Sequence, residues 1–88
     1  MNIEWSRRAA RDLFSVYEYI ATDNEQAATR IVDRIRAAVN GLALQPHMGR
    51  PSPFRNRREL MVDRYVVTYS VRGDGIFIIS LEHGAQRK

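Results

Sequence analysis

The first half of the chain has the hydrophobic spacing of two amphipathic helices. Ser6 and Asn24 can each cap a helix, because their side-chain oxygens accept hydrogen bonds from free N–H groups of the first turn. After each cap, apolar residues recur every three or four positions, as in a buried helical stripe. The first stripe is Ala9, Leu13, Val16 or Tyr17, and Ile20, and the second is Ala28, Ile31, Ile35, Val39 and Leu42. The connection is short, so the sequence predicts an antiparallel helical hairpin that ends near Ala43.

Alternating apolar positions predict strands on both sides of this hairpin. Asn2 to Trp5 is predicted to be a short strand, and Pro46 to Asn56, which holds all three prolines, a loop. Three strands should follow, with alternating residues Leu60 and Val62, then Tyr65, Val67, Tyr69 and Val71, then Phe77, Ile79 and Leu81. Residues 73–75, Gly-Asp-Gly, suit the tight turn of the last hairpin.

These elements predict one α+β domain over residues 1–88. It consists of an N-terminal strand, an antiparallel helical hairpin and a three-stranded antiparallel meander, with the helices on one face of the sheet. The other face is expected to be open, and its residues are Met61, Val66, Thr68, Ser70, Ile76, Ile78 and Ser80. Because this face is partly apolar, a binding partner is the simplest way to cover it.

The charge of the chain narrows the class of partner. The net charge is +4 and the pI is about 10.1, and Lys88 is the sole lysine, so arginine supplies the excess. Arginine suits carboxylates and phosphates, which indicates an acidic protein or a nucleic acid. Cysteine is absent, which excludes disulfides and thiolate metal sites. No apolar run reaches the roughly 20 residues of a membrane span, so we expect a cytoplasmic protein without a membrane partner.

Candidate site residues lie mainly in the second half of the chain. The arginines of the loop and the first strand hairpin are Arg50, Arg55, Arg57, Arg58 and Arg64. They form either a phosphate-binding patch or an ordinary solvated face. His83, at the end of the last strand, could transfer a proton or simply bond to nearby backbone, and His47 is a weaker candidate. Neither a metal site nor a cofactor is expected from two histidines without cysteine.

The order of these pieces resembles that of small toxins of the RelE/ParE superfamily. The resemblance covers nearly the whole chain and rests on four motifs: Pro-His-Met-Gly-Arg-Pro at 46–51, Arg-Arg-Glu-Leu at 57–60, Tyr-Val-Val-Thr-Tyr at 65–69 and His-Gly-Ala-Gln at 83–86. It implies a type II toxin–antitoxin module, in which this chain arrests bacterial growth. A cognate antitoxin, acidic over its toxin-binding segment, would silence it in a hetero-oligomer. The antitoxin-binding candidates on the open face are Met61, Val66, Thr68, Ile76 and Ile78.

The resemblance implies two alternative mechanisms. Toxins of the ParE branch inhibit DNA gyrase without breaking bonds, and the long helices, with Tyr-Glu-Tyr-Ile at 17–20, are similar to that branch. RelE-like toxins are endoribonucleases that cleave mRNA on the ribosome. In that case Arg58 would stabilise charge on the phosphate and His83 would transfer a proton. The chain ends at Lys88 without the C-terminal tyrosine that some of those nucleases use, which favours the gyrase hypothesis. A third hypothesis is a degenerate toxin that only binds its antitoxin.

Overall fold

Two helices cover one face of a five-stranded sheet in the computed structural model, which describes residues 1–86. Lys88, where some related nucleases would have a C-terminal tyrosine, lies outside these residues. In chain order the elements are β1 (Asn2–Trp5), α1 (Arg7–Ala21), α2 (Glu25–Gly41), β2 (Arg50–Pro51), β3 (Arg58–Val62), β4 (Tyr65–Arg72) and β5 (Gly75–His83), followed by a 3-10 turn (Gly84–Gln86). The predicted α+β architecture is therefore confirmed. Among these residues, neither helix is long and apolar enough to cross a membrane.

The helices begin where their caps predict. The Ser6 side chain accepts a hydrogen bond from the N–H of Ala9 at 2.9 Å, and the Asn24 side chain accepts one from Ala27 at 3.0 Å. The two predicted stripes meet the sheet in one core, whose fully buried members include Ile35, Val39 and Leu42. The second helix ends at Gly41, two residues before the predicted end.

The sheet contains the predicted meander and two further pairings. β3, β4 and β5 are antiparallel neighbours, as expected. β1 pairs parallel with β5, and the helical hairpin carries the chain from β1 at one edge of the sheet to β2 at the other edge. Inside the predicted proline loop, Arg50 and Pro51 form the short strand β2 against the start of β3. The strand order is β1-β5-β4-β3-β2.

The sequence pattern assigns most residues of β5 to the wrong face of the sheet. Thr68 pairs with Ser80 but Tyr69 pairs with Ile78, so Ile79 is the extra residue of a β-bulge. One extra residue reverses the alternation on either side of it. As a result Ile76 and Ile78, predicted on the open face, are fully buried beneath the helices together with Leu81.

Side chains of α1 and its cap satisfy the backbone of this bulge. The Ser6 hydroxyl donates to the carbonyl of Ile79 at 2.8 Å, and the Asp12 carboxylate accepts from the N–H of Leu81 at 3.0 Å. The backbone N–H of Ser6 also donates to the carbonyl of Ile78 at 2.9 Å. Helix α1 therefore continues along the edge of β5 where β1 stops.

Replacing Ser6 with alanine is expected to lower the free energy of unfolding by about 1–2 kcal/mol. The substitution removes both the helix cap to Ala9 and the bond to the bulge at Ile79. Urea denaturation of the two proteins measures the difference. Ser15→Ala, at an exposed position of the same helix, is the matched control and should change stability little. Equal midpoints for Ser6→Ala and the wild type would contradict the double role.

Candidate functional site

Arg58 is bonded to the loop that precedes β2. Its Nη1 donates to the carbonyl of Gly49 at 2.6 Å and approaches the carbonyl of His47 at 3.4 Å. The side chain is half-buried at the start of β3. Its positive charge therefore lies against backbone oxygens of the protein itself, which is a structural use of this arginine.

The hydroxyl of Tyr69 forms two further hydrogen bonds to the same loop. It donates to the carbonyl of Pro46 at 2.8 Å and accepts from the N–H of Gly49 at 2.9 Å, and Tyr69 is fully buried. Tyr69 is one of the alternating residues of the predicted strand, and the structure places it in the core. The strand pattern alone does not indicate the bonds of its hydroxyl, although a buried tyrosine usually requires a polar partner.

The other arginines of the group are spread along the same end of the sheet and its turns. Arg50 forms an ion pair with Glu59 at 3.1 Å, and the Glu59 side chain is almost fully buried. Arg57 lies 5.7 Å from the ring centre of Phe54, and Arg55 is exposed between them. The remaining member, Arg64, is exposed in the turn between β3 and β4, at the opposite end of β3. Hence Arg50, Arg55, Arg57 and Arg58 lie in one region and Arg64 lies apart.

His83 lies at the far end of β5 and contacts Tyr65. The two rings meet edge to face, with centroids 5.3 Å apart and an interplanar angle of 83°. The Nδ1 atom of His83 accepts a hydrogen bond from the backbone N–H of Ala85 at 3.1 Å. This nitrogen is therefore engaged by the turn that follows β5.

The structure does not bring Arg58 and His83 together. Arg58 pairs with Tyr69 on one side of β4, and His83 pairs with Tyr65 on the other side. Four residues along β4 and two strand spacings place their Cα atoms about 16 Å apart. The Arg58 side chain is in addition directed to the loop. The two side chains therefore lie at separate places on the sheet.

The open face of the sheet is less exposed than its sequence pattern predicts. Of the antitoxin-binding candidates, Met61 is half exposed, whereas Val66 and Thr68 are buried. Ile76 and Ile78, which were also predicted on this face, lie in the helix-facing core. The loop residues Ser52, Phe54 and Arg57 line a pocket of about 180 Å³ at this face. Its lining includes Arg8, Arg57, Glu59, Thr68, Ser80 and Glu82.

Burial of Tyr65 predicts a change of stability at alkaline pH. Burial raises the pKa of Tyr65 above its ordinary value of 10.0, nearby Tyr19 raises it further, and Arg64 opposes the rise. Since the folded state holds the proton more tightly, this contribution to stability is complete below pH 10.0 and is lost as the pH rises beyond it. Relative to Tyr65→Phe, the wild type should therefore lose stability above about pH 10 in urea denaturation. A constant difference between the two proteins up to about pH 11 would contradict the shift.

Comparison with known proteins identifies the family. The family model described as the ParE toxin of the type II toxin–antitoxin system parDE matches residues 3–88. The proposed toxin Y4kP of Sinorhizobium fredii is 37% identical over 87 residues, which cover 97% of this chain and 90% of that protein. Toxin RelE2 of Caulobacter vibrioides is 31% identical over 84 residues, which cover 96% of each protein.

A solved structure supports the same assignment. The chromosomal ParDE toxin–antitoxin system from P. aeruginosa contains a chain that superimposes with a TM-score of 0.83 at 27% identity. The match covers 94% of this chain and 95% of that one. Among the described residues, no group of three or more His, Asp or Glu side chains is arranged to hold a metal ion. By its fold and its sequence, this chain belongs to the ParE toxin family and is the toxin of a type II toxin–antitoxin system.

Proposed function

We propose that this toxin arrests growth by inhibiting DNA gyrase and performs no bond-breaking chemistry of its own. The observation that carries the proposal is that Arg58 and His83 pair with opposite sides of β4 four residues apart, which places their Cα atoms about 16 Å apart. Cleavage of RNA requires charge stabilisation and proton transfer at one phosphate, within hydrogen-bond reach of both groups. Arg58 also donates its Nη1 to the carbonyl of Gly49, so part of its guanidinium group is already engaged by the loop.

A supercoiling assay with purified gyrase and relaxed plasmid tests this proposal. The wild-type toxin should reduce supercoiling in a concentration-dependent way, and addition of the cognate antitoxin should restore it. The antitoxin-saturated toxin is the control for effects of added protein. Complete supercoiling at micromolar toxin would refute the proposal.

The alternative is ribosome-dependent mRNA cleavage, and the name of the relative Toxin RelE2 gives it support. Under this alternative, Arg58→Ala and His83→Ala would each abolish toxicity while antitoxin binding survives. We expect instead that His83→Ala stays toxic in bacteria induced without antitoxin. His83 is the more informative of the two positions, because Arg58→Ala also removes a loop contact. Pulse-labelling distinguishes the mechanisms, since gyrase inhibition stops DNA synthesis first and mRNA cleavage stops protein synthesis first.

The antitoxin contact is proposed at the open face and is centred on Met61. Met61 is half exposed on this face. It lies on the part of β3 that extends past the pairing with the short strand β2. The buried candidates Val66 and Thr68 could contribute only the edges of their side chains. An acidic antitoxin segment would complement the +4 net charge of the toxin. We place the resulting hetero-oligomer in the cytoplasm, whether the target of the toxin is gyrase or the ribosome. Met61→Asp should weaken antitoxin binding in a calorimetric titration.

A further inference from the structure

The pocket of about 180 Å³ at the open face, here called the open-face pocket, has buried polar side chains in its lining. Glu59, Thr68 and Ser80 form one cross-strand row over β3, β4 and β5, and their exposed fractions are 3%, 8% and 6%. Within residues 1–86, the hydroxyl groups of Thr68 and Ser80 form no hydrogen bond to another protein atom. Leaving a buried hydroxyl group without a partner costs free energy. Since both residues line the pocket, these hydroxyl groups are available to a ligand there.

Two arginines also line the open-face pocket. The guanidinium group of Arg57 lies 5.7 Å from the ring centre of Phe54, and no carboxylate of the described residues pairs with it. The Nε atom of Arg8 is 3.6 Å from an Asp12 oxygen, which also accepts a hydrogen bond from the backbone of β5. Both guanidinium groups therefore retain N–H donors for a ligand.

The two carboxylates of the lining offer fewer acceptors. The Glu59 side chain is 2% exposed, and its Oε1 accepts a hydrogen bond from the Nε of Arg50 at 3.1 Å. Glu82, which is partly exposed on β5, is the other acid of the lining. Guanidinium and hydroxyl donors thus outnumber the accessible acceptors, which favours an anionic ligand.

We propose that the open-face pocket receives one acidic side chain of the antitoxin. Its carboxylate accepts charge-assisted hydrogen bonds from Arg57 and hydrogen bonds from the hydroxyl groups of Thr68 and Ser80. This inference rests on the proposed antitoxin contact at the open face. Glu82 of the pocket lies in the cross-strand row that also contains Met61, so the pocket adjoins the centre of that contact.

The size and charge of the site favour this occupant over others. The volume is below the roughly 300–1,000 Å³ of pockets for small-molecule ligands, so it suits a single side chain better than a nucleotide. A second copy of the toxin would bring the same net charge of +4, which opposes association. An acidic antitoxin segment has the complementary charge.

The first test compares two exposed arginines of the same loop by calorimetric titration with the cognate antitoxin. Arg57→Ala should raise the Kd by about tenfold or more, the effect of losing a binding hot spot. Arg55→Ala is the matched control, because Arg55 is exposed but does not line the pocket, and it should change the Kd little.

Thr68→Val separates a binding role from a structural one. It should raise the Kd for the antitoxin, because the hydroxyl donor is lost. The free toxin should be as stable as the wild type or more stable, since this hydroxyl group has no partner within residues 1–86. Thermal unfolding measures the stability of each variant. A purely structural role of Thr68 would instead lower the stability of the free toxin.

A double-mutant cycle identifies the acidic side chain. Each Asp or Glu of the antitoxin is replaced with Asn or Gln and titrated against the wild type and Arg57→Ala. One replacement should weaken binding to the wild type but add little to the effect of Arg57→Ala. The inference is overturned if no replacement behaves in this way, or if both pocket variants bind like the wild type while Met61→Asp binds weakly. If Met61→Asp also binds like the wild type, the proposed antitoxin contact itself fails, and the inference with it.

Discussion

Replacing Ile35 with alanine is expected to lower the free energy of unfolding by about 2–5 kcal/mol. Ile35 is fully buried in the core between α2 and the sheet. The substitution leaves a cavity in the core cluster that also contains Leu13, Val39 and Val67. A domain of this size has a total stability of about 4–13 kcal/mol, so the loss is a large part of it. Urea denaturation at constant pH measures the change.

The control for this prediction is Phe14→Ala, because Phe14 lies on α1 with most of its side chain exposed. Its removal should change stability by about 0.5 kcal/mol or less. A similar loss in both variants would mean that the core does not depend on the buried stripe of α2. Induced Ile35→Ala should also accumulate less in cells than the wild type, since marginal stability lowers protein abundance.

Gly49→Ala is expected to cost about 1–3 kcal/mol and to displace the proline loop. A Cβ atom at this position would lie 2.7 Å from the Glu59 carbonyl oxygen and 2.8 Å from the Tyr69 hydroxyl. Both neighbours are buried, and one of them is backbone, so neither can move away at low cost. The glycine is required here by space rather than by a positive φ angle.

Gly41→Ala is the matched control for the loop glycine. It lies at the end of α2, where an added Cβ atom meets nothing within 4 Å. Alanine favours the helix over glycine by up to about 1 kcal/mol, so this variant should be as stable as the wild type or more stable. Thermal unfolding of the two variants should therefore shift in opposite directions. Parallel shifts would mean that the contact around Gly49 does not limit the fold.

The sequence identified many of the candidate site residues, but it did not show where they lie relative to one another. The pattern identified Arg58, His83 and the surrounding arginines as candidates, and their functional roles stay predictions. It did not reveal that Arg58 donates to the Gly49 carbonyl or that His83 lies at the other end of β4. Those facts depend on which strands are neighbours and in which register, and side-chain type alone carries no register. The Asp12 contact with the bulge was missed for the same reason.

The sequence by itself determined the local elements of this toxin, because caps, helical stripes and turn glycines act between residues close in the chain. Ser6, Asn24 and the Gly-Asp-Gly turn define helix starts and a hairpin without reference to the rest of the protein. Only the tertiary structure decided the parallel pairing of β1 with β5 and the bulge at Ile79. A strand pattern gives alternation but not the position of an extra residue, which is set by contacts from α1 and β4. That single residue moved Ile76 and Ile78 from a predicted binding face into the core.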